Sequence, residues 1–209
     1  YLGLHVYEHV QILGQARIGS EGDLLILEGD LDESPESFDI DGSLSAVVVD
    51  LVSVHMGNFR EVVLPSLPET DTLFLNELEA GALLDRCVKD DDAQQLMSAA
   101  DAVRALGVRR RVVVHSACGA VVVSSDGSCA QHGALLVPAQ EIRGAAGAGD
   151  AFAAGVILGL DQEKPLEECL RFGACSAAGC LTHPTTSGGV VDIELSLAFG
   201  EKFGFRDFS

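Results

Sequence analysis

The stretch "RGAAGAGDAFAAG", residues Arg143–Gly155, combines four glycines and six alanines with one phenylalanine and one acid. Asp150 stands where the small residues end and a helical pattern begins. Glycines before a helix leave amide N–H groups uncovered, and the helix N-terminus adds roughly half a positive charge, so this turn suits a phosphate. Asp150 could then accept a proton from an attacking hydroxyl. An ordinary helix start, in which Asp150 only favours the helix dipole, fits the same residues, and composition alone leaves both interpretations open.

Strands and helices are predicted to alternate along the chain on either side of this stretch. β-branched runs at 45–54 ("SAVVVDLVSV") and 109–116 ("RRRVVVHS") are typical of strands buried on both faces. The segment 71–87 ("DTLFLNELEAGALLDRC") begins as a strand and becomes helical at Asn76. Residues 90–107 have the acidic start and the glycine end of a helix.

The C-terminal half continues the alternation. A hairpin is predicted to turn at Asp126–Gly127, and "GDAFAAGVILGL" and "PLEECLRFGACSAAGCL" are predicted to form two helices with small-residue faces. The whole pattern predicts an α/β fold, one domain over residues 1–209, with a mostly parallel central sheet flanked by helices on both faces. In such sheets ligands bind beyond the carboxyl ends of the strands, where Asn76, Ser116–Gly119 and Gly147–Asp150 fall.

The composition is that of a globular, very acidic chain. Of its 209 residues 47% are hydrophobic, yet no apolar run approaches the ~20 residues that a membrane span needs. The formal charge of −19, from 32 acidic and 13 basic residues, argues against nucleic-acid and anionic-membrane partners. The acidic segment 28–43 is predicted to be a surface loop.

Six cysteines occur without any C-x-x-C pair, and their neighbours are small or apolar, as in "FGACSAAGCL". We expect thiols rather than a disulfide framework, and no zinc site, because the histidines do not fall near the cysteines at ligand spacing. No basic segment followed by an apolar run opens the chain, so no secretory leader is expected and a cytoplasmic location is favoured.

Two common nucleotide-binding motifs are missing from the sequence. It has no GxxxxGK[ST] loop and no GxGxxG fingerprint, which argues against a nicotinamide-dependent oxidoreductase. The stretch "GAAGAGDAFAAGVILGL" instead resembles the C-terminal motif of the ribokinase-like, or PfkB, carbohydrate kinases, D-T-T-G-A-G-D-x-F-x-x-G. The matching positions are Gly147, Ala148, Gly149, Asp150, Phe152 and Gly155.

Three upstream segments resemble the same family in the same order. "NELEA" (Asn76–Ala80) is similar to its N-x-x-E motif, and "VVVHSACGAVVV" resembles its T-x-G-x-x-G loop and keeps Gly119. The passage from Asp50 through "LPETD" is similar to the family's strand aspartate and LP-x-x-D segment. The resemblance therefore covers most of the chain, residues 45–190.

The resemblance implies an ATP-dependent kinase that phosphorylates a hydroxyl of a sugar or a nucleoside. The residues that it implies are Asp150 as the base, Gly147, Ala148 and Gly149 as the anion hole, Asn76, Ser116 and Gly119 as nucleotide contacts, and Glu79 as a ligand of Mg²⁺ through water. It further implies ATP, Mg²⁺ and a monovalent cation as cofactors, and a homodimer that forms through the family's lid.

The chain departs from the family pattern at several positions. The family's D-T-T is Gly144-Ala145-Ala146 here, which removes a carboxylate and two hydroxyls beside the anion hole, and Val114 and Ser116 replace the Thr and Gly of T-x-G. These changes are expected to weaken nucleotide contacts and the monovalent-cation site. The family's N-terminal sugar-binding glycines and lid are not recognisable, so the ribokinase-like domain is expected to be incomplete. A relative that binds nucleotide or sugar without turnover is the alternative function.

Other polar residues carry weaker hypotheses. His115 suits either a nucleotide pocket or a structural role, and it does not pair with Ser116 as a nucleophile because strand neighbours point to opposite faces. His183, in "THPTTSGG", is interpreted as a loop residue, although the family approaches the adenine there. Asp90–Asp92 are interpreted as a solvated helix start rather than a metal site.

Overall fold

The computed structural model describes residues 10–17, 23–29, 44–51, 59–185, 189 and 191–209. The strands are β1 (Val10–Arg17), β2 (Asp23–Gly29), β3 (Leu44–Leu51), β4 (Thr72–Asn76), β5 (Arg111–His115), β6 (Gly119–Ser124) and β7 (Cys129–Gly133). The α-helices are α1 (Phe59–Val63), α2 (Glu77–Leu84), α3 (Ala93–Arg104), α4 (Ala148–Asp161), α5 (Leu166–Leu181) and α6 (Ile193–Phe203).

The strands form a mixed sheet in which β1 to β7 follow one another in chain order. β1 pairs antiparallel with β2, whereas the pairs β2–β3 and β3–β4 are parallel. Asp50 of β3 lies opposite Phe74 of β4. Asp50 and Asn76 therefore stand near the carboxyl ends of neighbouring parallel strands, which is the edge of an α/β sheet where ligands bind.

The chain divides into two compact units. The first comprises residues up to Lys89 together with Gln95–Val114 and Val123–Ser128, and the second comprises Asp90–Gln94, His115–Val122 and Cys129–Ser209. In the first unit, Leu73, Phe74 and Leu75 of β4 are consecutive and have no exposed surface. A strand whose successive side chains are all buried is covered on both faces, as the apolar runs of the sequence predict.

In the second unit α4 and α5 pack at close range. A Cβ on Gly155 of α4 would lie 2.6 Å from the carbonyl oxygen of Phe172, and one on Gly173 of α5 would lie 2.8 Å from the ring of Phe152. Since neither position has room for a side chain, the small residues are what lets the two helices approach. The predicted small-residue faces of these helices are thus confirmed.

Most elements predicted from the sequence are confirmed, with shifts at their ends. The helix expected over 90–107 spans Ala93–Arg104. The hairpin turns at the predicted position, where Gly127 has a φ of +86° and the Ser124 N–H donates to the Ser128 carbonyl at 2.9 Å.

The remaining differences lie near the two ends of the described chain. The prediction of a surface loop over 28–43 is wrong at its start, because Glu28 and Gly29 belong to β2. Residues 30–43 lie outside the described residues, and so do residues 52–54 at the end of the predicted strand 45–54. Helix α6 was not predicted, although Asp192 directly before Ile193 and Leu197 at the i+4 position are an N-terminal signal.

The cysteines differ in their burial. Cys169, Cys175 and Cys180 of α5 are buried, while Cys87 and Cys129 are exposed, and no disulfide joins any cysteine of the described chain. None of the helices that the structure describes is long and apolar enough to cross a membrane.

Candidate functional site

The first turn of α4 presents backbone amides and one carboxylate to solvent. Gly147, the N-cap, has a φ of +82°, a left-handed conformation that favours glycine, and no side chain caps the helix. The Ala148 N–H donates to the Ala145 carbonyl at 3.2 Å. No acceptor for the N–H groups of Gly149 and Asp150 is found among the described residues. These two amides, the helix dipole and the exposed Asp150 carboxylate make a turn that can bind an anion beside a base.

The loop before this turn is fixed to the C-terminal end of α5. The Arg143 and Gly144 N–H groups both donate to the Leu181 carbonyl, at 2.8 Å and 3.5 Å. The Cys180 thiol donates to the Ala146 carbonyl at 3.5 Å. Burial raises the pKa of the Cys180 thiol, and the negative charge of Asp150 raises it further. Cys180 is therefore a protonated neighbour of the carboxylate near neutral pH.

His115 contacts the same turn from the end of β5. The ring centroids of His115 and Phe152 are 5.2 Å apart, and a Cβ on Gly149 would lie 3.7 Å from the His115 Cε1 atom. Burial lowers the pKa of His115 to about 4, and the charge of Asp150 opposes this shift without cancelling it. The imidazole is consequently neutral near pH 7. The structure thus brings together His115, Gly147–Gly149 and Asp150.

Ser116 and Gly119 are both engaged by the protein itself. The Ser116 hydroxyl donates to the Asp90 carbonyl at 2.7 Å and accepts from the Cys118 N–H at 3.1 Å and the Gly119 N–H at 3.3 Å. A Cβ on Gly119 would lie 2.5 Å from the ring of Phe208. These contacts give both residues a structural role in the β5–β6 loop. Their contacts with a nucleotide stay a prediction.

In the first unit, Asn76 and Glu79 close the N-terminus of α2 by a reciprocal capping box. The Asn76 Oδ1 accepts from the Glu79 N–H at 2.9 Å, and the Glu79 Oε2 accepts from the Asn76 N–H at 2.7 Å. Glu79 is a buried carboxylate, only 1% exposed. The N-x-x-E spacing therefore has a local structural role in this chain, and the roles of both residues toward nucleotide and Mg²⁺ stay predictions.

Three further features concern His183, the Gly144 position and possible metal ligands. The His183 Nδ1 accepts from the Thr185 N–H at 3.3 Å within its own loop. A Cβ on Gly144 would meet the His183 carbonyl oxygen at 3.8 Å, an ordinary contact, so the backbone has room for a side chain where the family has Asp. Among the described residues, no three His, Cys, Asp or Glu side chains are grouped as a metal site would require.

Comparisons with known proteins agree on one family. Residues 38–192 match the model of the pfkB family carbohydrate kinases. Adenosine kinase 1 of Arabidopsis thaliana is 30% identical over 135 residues, which cover 60% of this chain and 39% of that protein. Acarbose 7(IV)-phosphotransferase of Actinoplanes sp. is 33% identical over 114 residues, which cover 48% of this chain and 38% of that protein.

A solved structure confirms the fold. The structure of Arabidopsis thaliana ribokinase complexed with ribose and ATP matches with a TM-score of 0.61 at 25% identity, over 74% of this chain and 47% of that one. The α/β, ribokinase-like architecture expected from the motifs is therefore present. The chain spans less than half of the length of each of these relatives.

Proposed function

Because the chain belongs to the pfkB family of carbohydrate kinases, we propose that it transfers the γ-phosphate of ATP to a hydroxyl of a sugar or a nucleoside. The observation that carries this proposal is the uncapped N-terminus of α4, which presents amide donors and the exposed Asp150 in one turn. Phosphoryl transfer needs positioned charge stabilisation and a base far more than it needs covalent chemistry, and this turn offers both.

In the proposed reaction Asp150 accepts the proton of the acceptor hydroxyl as its oxygen attacks the γ-phosphorus. The bond between the γ-phosphorus and the bridging oxygen breaks, and ADP leaves with the bonding electron pair. Within the predicted anion hole of Gly147, Ala148 and Gly149, the Ala148 N–H already donates to the Ala145 carbonyl. Negative charge on the transferred group is therefore proposed to be stabilised by the Gly149 amide, by the neighbouring Asp150 amide and by the positive end of the α4 dipole. Gly147 serves this arrangement because its left-handed backbone turns the chain into the helix without a capping side chain.

Further residues are proposed to hold the metal and the nucleotide. Mg²⁺, when bound, neutralises charge on the transferring phosphates, and it keeps several waters, so a few carboxylates suffice. The buried Glu79 fits an interaction through water, because its Oε2 already accepts the Asn76 N–H. Asn76, Ser116 and Gly119 remain the proposed nucleotide contacts, and a monovalent cation remains the proposed second ion.

The proposed acceptor class follows from the relatives. The matched proteins include an adenosine kinase, a phosphotransferase named for acarbose, and a ribokinase whose structure holds ribose and ATP. Adenosine and ribose both contain a ribose ring, so ribosides and free pentoses come first in a substrate search. We further propose that the protein acts in the cytoplasm, where ATP is available and thiols stay reduced, as a homodimer.

A non-catalytic relative is the second candidate. The replacement of D-T-T by Gly144-Ala145-Ala146 removes a carboxylate and two hydroxyls directly before the turn. That loss favours a protein that binds nucleotide or sugar without turning it over.

The test measures ADP formation from ATP and Mg²⁺ over a panel of nucleosides, pentoses and hexoses, with calorimetry of ATP binding beside it. The kinase proposal predicts ADP and a phosphorylated product with at least one acceptor. ATP binding without product from any acceptor supports the non-catalytic relative. A protein that neither binds ATP nor forms ADP contradicts both proposals.

A further inference from the structure

His115 lies against the turn that carries the proposed base. Its ring is held on one side by the Phe152 ring, with centroids 5.2 Å apart and planes inclined by 40°. Its Cε1 atom lies 3.7 Å from where a Cβ on Gly149 would stand, so the imidazole lies beside Gly149 in the first turn of α4. Asp150 follows Gly149 directly. A change in the shape of the side chain at position 115 would therefore reach Asp150 through Gly149 and Phe152.

The charge state of this ring matters because it is electrostatically coupled to Asp150. Burial lowers the pKa of His115 to about 4, and the negative charge of Asp150 offsets part of this shift. The charge of Asp150 acts on two titratable groups, His115 from β5 and Cys180 from α5. Since the thiol of Cys180 has a raised pKa, both neighbours are uncharged near pH 7.

We propose that His115 is a positioning residue for Asp150: it packs against Phe152 and beside Gly149, and so fixes the first turn of α4 that carries the carboxylate. The role of Asp150 as base rests on the proposed function, whereas the contact itself does not. A fixed cation at this place would form an ion pair with the carboxylate. The pair would turn the carboxylate away from the acceptor hydroxyl and weaken it as a base.

The kinetic test compares His115→Lys with His115→Gln and with His132→Lys. His132 is a matched control, because it is also a half-buried histidine packed on a phenylalanine, Phe205, with ring centroids 4.6 Å apart. We expect His115→Lys to lower kcat at pH 7.5 by about tenfold or more, to change the KM for ATP by less than about twofold, and to move the acidic limb of the pH–rate profile to lower pH. His132→Lys should keep kcat within about threefold of the wild type, whereas His115→Gln should lower kcat less than His115→Lys does and leave the acidic limb in place.

The profile separates positioning from a purely structural role. A variant that only contains less folded protein would have a lower apparent kcat at every pH, with its acidic limb unmoved. Thermal unfolding of each variant measures that loss. An acidic limb that stays in place in a folded His115→Lys protein overturns the proposal. So does a loss of kcat in His132→Lys as large as that in His115→Lys.

A second measurement needs neither turnover nor a folded lysine variant. The titration of the His115 ring is followed by NMR in the wild type, in Asp150→Asn and in Asp161→Asn, a control at the opposite end of α4. Because the Asp150 charge raises the pKa of His115, Asp150→Asn should lower that pKa, and Asp161→Asn should leave it unchanged. An unchanged His115 titration in Asp150→Asn overturns the proposed contact. If the titration shifts as expected while the wild type phosphorylates no acceptor, the contact stands and the kinase proposal fails.

Discussion

Two helix N-termini of this protein, those of α2 and α4, solve the same physical problem in opposite ways. Each leaves backbone N–H groups without partners inside the helix. At α2, Asn76 and Glu79 bond to each other's amides and close the end. At α4, the N-cap is Gly147, no side chain bonds to the turn, and Asp150 stands exposed. An end that the protein closes with its own side chains stabilises the fold, whereas an end left open is available to a ligand.

The comparison also shows why similar residues have different consequences. Glu79 and Asp150 are both acids at the third position of a helix. Glu79 is buried and bonds to the backbone, and Asp150 is exposed. An acid that serves as a base has to reach solvent and substrate, and only Asp150 meets that condition without leaving a bond behind.

The largest effect is expected from Asp150→Asn. The amide cannot accept the hydroxyl proton, so kcat should fall by roughly 10² to 10⁴-fold, while the Kd for ATP stays within about threefold. Steady-state ADP formation and calorimetry measure the two quantities. Glu167→Gln, which removes an exposed acid from the first turn of α5, is the control and should retain activity. Near-normal turnover of Asp150→Asn would show that another group is the base.

A smaller but still large effect is expected from Gly147→Ala. A side chain at a φ of +82° strains the backbone and should cost about 1–2 kcal/mol of stability, and the displaced turn should lower kcat by about tenfold. Gly127→Ala is a matched control, because Gly127 has a φ of +86° in an exposed hairpin with nothing within 4 Å of the added Cβ. Both variants should lose similar stability in chemical denaturation, and only Gly147→Ala should lose turnover. Equal activities would contradict an open anion-binding end at α4.

At the closed end the expected effect is on stability. Asn76→Ala removes the acceptor of the Glu79 N–H and should lower the free energy of unfolding by about 1 kcal/mol. Asn76→Ser keeps a capping oxygen, so its free energy of unfolding should differ from that of the wild type by only roughly a few tenths of a kcal/mol. Urea denaturation of the three proteins measures both changes. If Asn76→Ala were as stable as the wild type, the capping box would not stabilise α2.

The smallest effect is expected at the link between α5 and the open end. Cys180→Ala removes the weak hydrogen bond from the thiol to the Ala146 carbonyl, so kcat should fall by only about twofold. Cys175→Ala, at another buried cysteine of α5, is the control and should leave kcat unchanged. Both should lose about 1 kcal/mol of stability from the vacated volume. A tenfold loss of kcat in Cys180→Ala would mean that the loop is held mainly through this thiol.

Local sequence signals predicted the elements that carry these two ends. The step from strand to helix at Asn76 and the helix after Gly147 were both predicted, because their signals lie within a few residues of each other. The family motifs added the ribokinase-like fold. The role of His115 could not be decided in this way, since it depends on the packing of this one side chain against Phe152 and beside Gly149, far along the chain.

Other features of the site also needed the tertiary structure. The Ser116 hydroxyl finds its acceptor on Asp90, which sequence spacing does not reveal. The reciprocal bonds of Asn76 and Glu79 agree with the local sequence, because an Asn followed three residues later by Glu is itself a capping-box pattern. The same N-x-x-E spacing therefore serves the helix end in this chain, whatever it contributes to nucleotide or metal.

The most direct test of the account follows backbone amide chemical shifts as ATP and Mg²⁺ are added to the 209-residue chain. The open end of α4 should bind phosphate through its amides, so the resonances of Gly147, Gly149 and Asp150 should shift and saturate with the Kd that calorimetry gives for ATP. The amide of Gly127, in the β6–β7 hairpin turn, should not shift. Saturation by ATP with no change at Gly147, Gly149 and Asp150 would contradict the central claim that this turn is the phosphate site.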